Sequence, residues 1–303
     1  MNKTLRYSVV LFVVITIIIF GFNLLFSLIG RTYEFSPFGR LFMLLVSAVV
    51  SSLCITLLII TTAPVVKNYI ATFRHLLRLD TLSHPLLLKM QKEAPATFQH
   101  SLQVANLSNK AAKAIGADAF LSRIGGYYHD IGKLSNPNFF IENKRSDDID
   151  ENQDNYLDTA KNIKQHILEG VKLGNEYKLP QEVISFIPQH HGTLSISHLY
   201  KKAKQNNSSV SKKDFRYLGP KPMSKEAAIL MLSDAIESKL RTFPELSDKT
   251  IDEVIKSIIQ DRLEEKQLEL SGLTNGDMLK IKVAFTEAAH SLYHQRIKYH
   301  DKS

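Results

Sequence analysis

The sequence has little cysteine and no tryptophan, with one Cys among 303 residues. A single cysteine excludes a disulfide framework and a zinc cage built from thiolates. Charge is also missing locally, because residues 7–30 and 41–66 contain no Asp, Glu, Lys or Arg. Cys54 lies inside the second of these runs and is typical of a small membrane-embedded residue. These features exclude a purely soluble enzyme and a disordered or collagen-like chain.

The two charge-free runs are each longer than the ~20 apolar residues that cross a bilayer. The first run follows Lys3 and Arg6, as a signal peptide would, but it exceeds the ~7–15 apolar residues of a signal sequence. Residues 30–40 form a short polar connection between the runs. We therefore expect residues 1–66 to form a transmembrane helical hairpin, with spans at about 7–30 and 41–66.

Basic residues flank the hairpin on its outer ends. Lys3 and Arg6 precede the first span, and Lys67, Arg74 and Arg78 follow the second. The positive-inside rule then favours both termini in the cytoplasm, and a domain without disulfides agrees with that side. We expect a multi-pass protein of a bacterial-type inner (plasma) membrane, with its catalytic domain in the cytoplasm.

The chain carries a net charge of +8 and has a pI of about 9.3. Such a charge favours an anionic substrate or contact with anionic membrane lipid. The basic stretch 201–213 has no interleaved aromatic residues and is predicted to be a polar loop. We therefore expect no nucleic-acid polymer among the partners.

From residue 67 onward the hydrophobic pattern is helical, and no convincing alternation of a β-strand occurs. The fold class is thus expected to be all-α, with one helical core after the hairpin. The predicted helices lie at about 97–115, 119–130, 155–173, 181–191, 224–242, 248–269 and 276–298.

Five of the eleven histidines and two aspartates fall on, or at the ends of, apolar helical faces. These residues are His100, His129, His166, His190, His191, Asp130 and Asp234. An unpaired buried carboxylate such as Asp234 costs on the order of several kcal/mol. Imidazole and carboxylate groups suit Mn, Fe or Zn without any thiolate, so metal ions explain the seven residues together.

The adjacent pair His129-Asp130 indicates more than one ion. Neighbours on a helix point about 100° apart and normally serve different partners. Two metal ions ~3.5–4 Å apart, bridged by a carboxylate, would use both residues.

The motif HDIGK at 129–133 resembles the signature of HD-domain phosphohydrolases. The ligand order of this chain is similar to the seven-ligand, two-metal form of that fold. The longer segments LSRIGGYYHDIGKLSNPNFFIEN and FRYLGPKPMSKEAAILMLSDAIES resemble the catalytic domain of the seven-transmembrane HD family, the PgpH-like cyclic-di-AMP phosphodiesterases. The likeness covers about residues 76–300, and it implies an HD domain at 96–303 after a juxtamembrane linker at 67–95.

The resemblance implies two divalent ions per chain, most simply Mn or Fe. His100, His129, Asp130 and Asp234 would hold one ion, and Asp130, His166, His190 and His191 the other. A hydroxide activated by both ions would open cyclic-di-AMP to linear pApA. Lys133, and beyond it Arg216 and Tyr217, are expected to contact phosphate or adenine.

The chain departs from the family pattern in several places. It shows two spans where the family has seven and a large sensor domain, so a membrane sensor partner or a homo-oligomer is a further expectation. Ala96 and Gln99 replace the usual Gly and His, Lys144 replaces a Gln, and segment 145–155 is acidic.

Three alternatives remain at this stage. One is an enzyme for cyclic-di-GMP, which typically carries a GYP motif after a histidine pair, where this chain has Gly192-Thr193. Another is a phosphohydrolase for other nucleotides, with a single metal. The third is a non-catalytic receptor for cyclic dinucleotides.

Overall fold

The computed structural model describes residues 3–32, 36–143, 155–206 and 209–297. These residues are mainly helical, and their only β contact is an isolated bridge between Ser195 and Arg216. The prediction of an all-α fold is confirmed. Lys144 and most of the acidic segment 145–155 lie outside the described residues.

The α-helices are numbered in chain order. They are α1 (Lys3–Thr32), α2 (Pro37–Leu79), α3 (Pro85–Glu93), α4 (Pro95–Ala114), α5 (Ala119–Tyr128), α6 (Tyr156–Glu176), α7 (Gln181–Ile184), α8 (Phe186–Gln189), α9 (Ser197–Asn206), α10 (Lys225–Leu240), α11 (Asp248–Glu264) and α12 (Asn275–Ile297). Short 3-10 helices cover Ile131–Ser135, Pro137–Phe139, Ile141–Asn143 and Lys212–Phe215.

The chain divides into two compact units, one ending at His75 and the other beginning at Leu76. The first unit contains α1 and most of α2, which are both long and apolar enough to cross a membrane. Their large side chains are not covered by protein, since Phe20 is 70% exposed and Ile60 is 65% exposed. Such exposure of apolar surface is what a lipid-facing helix requires.

A polar cluster joins the two long helices inside the first unit. Asn23 on α1 accepts a bond from the Ser47 hydroxyl at 2.7 Å and donates to Ser51 Oγ at 3.2 Å. Thr16 and Thr61 instead bond back to carbonyls of their own helices. Hydrogen bonds of the first kind are a recognised way of holding membrane helices together.

Helix α2 continues 13 residues beyond the apolar run that ends at Val66. The segment predicted as a linker, residues 67–95, is therefore helical over most of its length. Its apolar residues Leu79, Leu86 and Met90 are fully buried in the second unit. They pack in one core cluster with Ile124 and Tyr128 of α5.

A second core cluster fills the other side of this unit. It is built from α4, α10, α11 and α12, with Leu107, Ile229, Ile255 and Phe285 among its buried members. Helix α4 packs against α5, α10 and α12 and so contributes to both sides. The polar centre described below is formed by side chains of the helices and turns around α4.

The structure corrects three local predictions. Residues 201–206 belong to α9 and are not a loop, because Leu199 and Ala203 pack on Phe215. The helix predicted at 119–130 ends at Tyr128. The helix predicted at 181–191 is broken into α7 and α8.

Candidate metal centre

The seven predicted residues come from five places in the second unit and meet at one point. His100 lies on α4, His166 on α6 and Asp234 on α10. His129 and Asp130 occupy the turn between α5 and the 3-10 helix Ile131–Ser135. His190 and His191 follow the last turn of α8.

Gly132 permits the close approach of this turn to α6. A Cβ atom at Gly132 would lie 1.8 Å from the carbonyl oxygen of His166 and 2.5 Å from the nitrogen of Gly170. Only a residue without a side chain lets the two backbones meet at this distance. The glycine of the HDIGK motif therefore sets the separation between Asp130 and His166.

Asp130 presents its two carboxylate oxygens to different histidines. Its Oδ2 lies 3.3 Å from Nε2 of His129 and 3.7 Å from Nε2 of His100. Its Oδ1 lies 3.6 Å from Nε2 of His166 and 3.7 Å from Nε2 of His190. Such an arrangement suits a carboxylate that bridges two cations.

Asp234 also presents both carboxylate oxygens to histidines of the centre. Its Oδ1 is 3.1 Å from Nε2 of His100 and 3.9 Å from Nε2 of His129, and its Oδ2 is 3.8 Å from Nδ1 of His191. Potential ligand atoms within 4.8 Å of one another fall into three overlapping sets. These sets are His100–His129–Asp234, His166–His190–His191 and His129–Asp130–His190.

Three of the histidines have their tautomer fixed by the backbone. Nδ1 of His129 lies 2.8 Å from the carbonyl of Gly126, and Nδ1 of His190 lies 2.7 Å from that of Ile187. His166 bonds in the same way to Ile163. A carbonyl can only accept, so each Nδ1 carries the hydrogen and each Nε2 lone pair faces the centre.

The site is polar, buried and incompletely hydrogen-bonded. His129 is fully buried and Asp130 is 2% exposed, yet His129 Nε2 and Asp130 Oδ1 make no hydrogen bond to any described residue. Buried polar atoms without a partner are costly. Divalent metal ions would satisfy them, and the set of imidazoles and carboxylates suits such ions.

The electrostatics of the site favour the metal-binding forms of Asp130, Asp234, His166 and His190. Burial opposes the charge of Asp130, but Lys133 and the nearby histidines hold its pKa well below the ordinary value. Burial lowers the pKa of His190 to about 3 and also lowers that of His166. Burial also opposes the charge of Asp234, but its hydrogen bond to His100 lowers its pKa. Asp130 and Asp234 are therefore ionised near pH 7, and His166 and His190 are neutral.

Glu237 is a member of the site that the sequence analysis missed. Its carboxylate contacts Nδ1 of His100, and it is only 4% exposed. Burial disfavours protonation of His100, but its bonds to Asp234 and Glu237 raise its pKa to about 9. Glu237 is one turn beyond Asp234 on α10, so the same argument about a buried carboxylate would have found it.

Lys133 lies beside the centre and is held by two carboxylates. Its Nζ lies 2.9 Å from Asp130 Oδ2 and 2.6 Å from Glu142 Oε1. Glu142 was also missed, and it accepts a bond from the hydroxyl of Thr97 on α4. The neighbouring Asn143 caps α4 by accepting from the backbone nitrogens of Ala96 and Thr97.

The two predicted substrate contacts on the later loop are already engaged within the protein. Arg216 donates to the carbonyl of Thr193 at 2.8 Å and to Glu265 at 3.1 Å. The ring of Tyr217 stacks on that of His191, with centroids 4.2 Å apart. Arg216 and Tyr217 thus pack against the histidine pair and the residues that follow it. Their contact with substrate stays a prediction.

A cleft of about 640 Å³ opens from the centre. Asp130, Lys133, His191 and Asp234 line one part of it. The remaining wall comes from the end of α10 and from α11, and includes Ser238, Lys239, Glu253, Asp261 and Arg262. Its volume suits a ligand of nucleotide size.

Comparison with known proteins places this geometry in context. A family model described as the HD domain matches residues 97–239. The cyclic-di-AMP phosphodiesterase PgpH of Bacillus subtilis is 37% identical over 261 residues, which cover 84% of this chain and 36% of that protein. PgpH of Listeria monocytogenes is 37% identical over 230 residues, which cover 76% of this chain and 32% of that protein. The chain thus spans about a third of the length of these two relatives.

A solved structure also matches this chain. The HD domain of L. monocytogenes PgpH, crystallised in complex with cyclic-di-AMP, is 36% identical and superposes with a TM-score of 0.68. The match covers 70% of this chain and all of that domain. Sequence and fold therefore agree on the same relatives.

Proposed function

This chain belongs to the PgpH-like family of HD-domain phosphodiesterases, and from that premise we propose that it hydrolyses cyclic-di-AMP to linear pApA. The observation that carries the proposal is the position of Asp130, whose two oxygens face separate pairs of histidines. A centre of this kind is suited to phosphoester hydrolysis with two metals.

Two divalent ions, Mn or Fe, fit the donors of this centre. His100, His129, Asp130 and Asp234 would hold one ion, and Asp130, His166, His190 and His191 the other. When bound, such ions acidify water and neutralise the negative charge of a phosphodiester.

The residues of the chain prepare the site for an anionic substrate. The Nδ1–H bonds to backbone carbonyls orient His129, His166 and His190 before any ligand arrives. Lys133 lines the cleft, and its ammonium group lies next to Asp130. From that position it would attract a phosphodiester toward the centre and help to hold the charge that develops on it.

The test is hydrolysis by the full-length chain, purified in detergent and supplied with Mn²⁺ or Fe²⁺. We expect pApA to form from cyclic-di-AMP, and a lower kcat/KM for cyclic-di-GMP. An RNA oligonucleotide tests the prediction that nucleic-acid polymers are not substrates. Binding of cyclic-di-AMP without turnover in either metal would favour a receptor and reject the proposed enzyme.

Removing Asp130 tests the shared metal centre. Asp130→Ala should abolish hydrolysis and lower the metal content of both sites, because its two oxygens face both sets of histidines. His166→Ala should mainly empty one site. Metal analysis of the folded protein, beside a thermal melt, measures both effects. Two ions retained in a folded Asp130→Ala chain would reject the bridging role.

We also propose that the chain is a multi-pass protein of a bacterial plasma membrane, with the catalytic unit in the cytoplasm. Support comes from the two apolar helices and from the basic residues that flank them. Contact with membrane lipid, and with a membrane sensor or a second copy of the chain, belongs to the same proposal.

A further inference from the structure

Arg262 on α11 is a partly buried cation. Within the described part of the chain, its Nε atom is inaccessible to solvent and has no acceptor. No ion pair joins its guanidinium to a carboxylate of those residues either. The residue is only partly buried and lines the cleft without a paired carboxylate, so its guanidinium is available to an anionic ligand.

The nearest acidic residues do not provide one. Glu265 already pairs with Lys212 at 3.2 Å and with Arg216 at 3.1 Å. Asp234 belongs to the candidate metal centre, and Asp261 is exposed beside Arg262 on the helix. Burial lowers the pKa of Arg262, and the negative charges of Asp234, Asp261 and Glu265 partly offset that lowering. An arginine nevertheless stays charged at any physiological pH.

The place of Arg262 suggests the ligand. It lines the same cleft of about 640 Å³ as Asp130, Lys133 and Asp234. A cyclic dinucleotide carries two phosphodiesters, and only one of them is at the metal centre during a given cleavage. The other must lie elsewhere in the cleft, where the planar guanidinium matches the geometry of phosphate oxygens.

We propose that Arg262 forms a subsite for the phosphodiester that is not being cleaved. This inference rests on the proposed function, since it presumes a substrate with two phosphodiesters. The subsite selects for such a substrate over an ester with one phosphate. The cleft wall beyond it carries charges of both signs, from Lys239, Glu253 and Asp261, all of which are exposed.

A second cavity supplies a matched control. It measures about 540 Å³ and is lined by Arg262 together with Ser195, Lys201 and Glu265. Lys201 is exposed and lines this cavity but not the cleft. Lys201→Ala therefore removes the same charge from the opposite side of Arg262.

The experiment compares two substrates with the full-length chain in detergent. Cyclic-di-AMP has two phosphodiesters, and bis(p-nitrophenyl) phosphate has one. Arg262→Gln should raise KM for cyclic-di-AMP about 10- to 100-fold, the effect of losing a hydrogen bond to a charged group, and change kcat little. Turnover of bis(p-nitrophenyl) phosphate should stay within about twofold, and Arg262→Lys should recover part of the affinity.

Equilibrium binding of cyclic-di-AMP to the metal-stripped chain gives a readout that does not depend on turnover. The Kd for cyclic-di-AMP should rise by a similar factor in Arg262→Gln, while the thermal melt of this variant stays unchanged. In Lys201→Ala the Kd should not change. Equal losses on both substrates, or an effect of Lys201→Ala as large as that of Arg262→Gln, would overturn the subsite. A wild-type chain that cleaves bis(p-nitrophenyl) phosphate but neither binds nor cleaves any cyclic dinucleotide would overturn the proposed function, and the subsite with it.

Discussion

His100 differs from the other histidines of the centre in what its second ring nitrogen contacts. His129, His166 and His190 donate Nδ1–H to backbone carbonyls of their own helices. His100 instead contacts the buried carboxylate of Glu237. A carboxylate behind a metal-binding imidazole makes it a stronger donor and holds its ring in place. Glu237 is thus a positioning residue that acts through His100.

Replacing Glu237 should weaken metal binding without unfolding the protein. We expect Glu237→Gln to lower the affinity for Mn²⁺ about 10- to 100-fold, because a neutral amide polarises the imidazole less. Competition with a chromophoric chelator measures the affinity, and a thermal melt checks the fold. Glu245→Gln, an exposed substitution of the same kind, should have no effect. Unchanged affinity in Glu237→Gln would remove the positioning role.

Helical periodicity and residue chemistry together predict some of the side chains at the centre. Asp234 stands out on an apolar stripe, and the structure does bury it beside His100. Glu237 shares that helical face and was available to the same argument. Arg262 could not be predicted in this way, because α11 carries many charged residues. Only the packing of α11 determines which of them lines the cleft.

The turn that carries the HDIGK motif shows how one short element controls the centre. The 3-10 helix Ile131–Ser135 packs against α6 at Gly132, where a side chain would collide with the carbonyl of His166. Asp130 is the N-cap of this 3-10 helix, and Lys133 is its third residue. The backbone contact, and not a side-chain bond, therefore sets how far Asp130 lies from His166.

A methyl group at Gly132 should push the turn away from α6. We expect Gly132→Ala to destabilise the second unit by about 1–3 kcal/mol, or to lower its melting temperature by about 2–12 °C. Metal content should fall as well, because Asp130 and His166 separate. Gly276→Ala is the matched control, since only the Thr274 hydroxyl lies within 4 Å of its Cβ position. A Gly132→Ala chain with normal stability and metal content would contradict this account.

Element boundaries were predicted less well than element types. The helix that begins at Ser197 was missed because the mostly polar run KKAKQN at 201–206 dominates its composition. Its buried side chains, Leu199 and Ala203, are four residues apart and meet Phe215, which is distant in sequence. Similarly, α5 ends at Tyr128 because the chain must turn to bring Asp130 to α6. Both outcomes depend on tertiary contacts that local patterns do not contain.

The whole molecule combines two units that differ in the chemistry of their surfaces. The absence of charge in residues 7–30 and 41–66 predicts two membrane spans, and the exposed apolar side chains of the first unit are suited to lipid contact. The second unit begins at Leu76, earlier than the domain boundary expected at residue 96. Leu86 and Met90 account for the difference, since their side chains complete its core.

Helix α2 also bears on the proposed membrane topology. Its 43 residues correspond to about 65 Å of helix, roughly twice the thickness of the hydrocarbon layer. Its apolar part ends at Val66, and Lys67, Arg74 and Arg78 follow within the same helix. Basic residues of this kind are retained on the cytoplasmic side. The end of α2 that leads into the catalytic unit is therefore expected in the cytoplasm.

Reporter fusions test this orientation. A phosphatase that is active only outside the cytoplasm should be silent when fused after Ser303 and active when inserted after Ser36, between α1 and α2. A cytoplasmic reporter at the same two positions should give the opposite pattern. Replacing Lys67, Arg74 and Arg78 by Gln should weaken the bias and produce a mixed signal, because these side chains supply the charge that follows the second span. Strong phosphatase activity at Ser303 in the unmodified chain would place the catalytic unit on the opposite side and reject the cytoplasmic assignment.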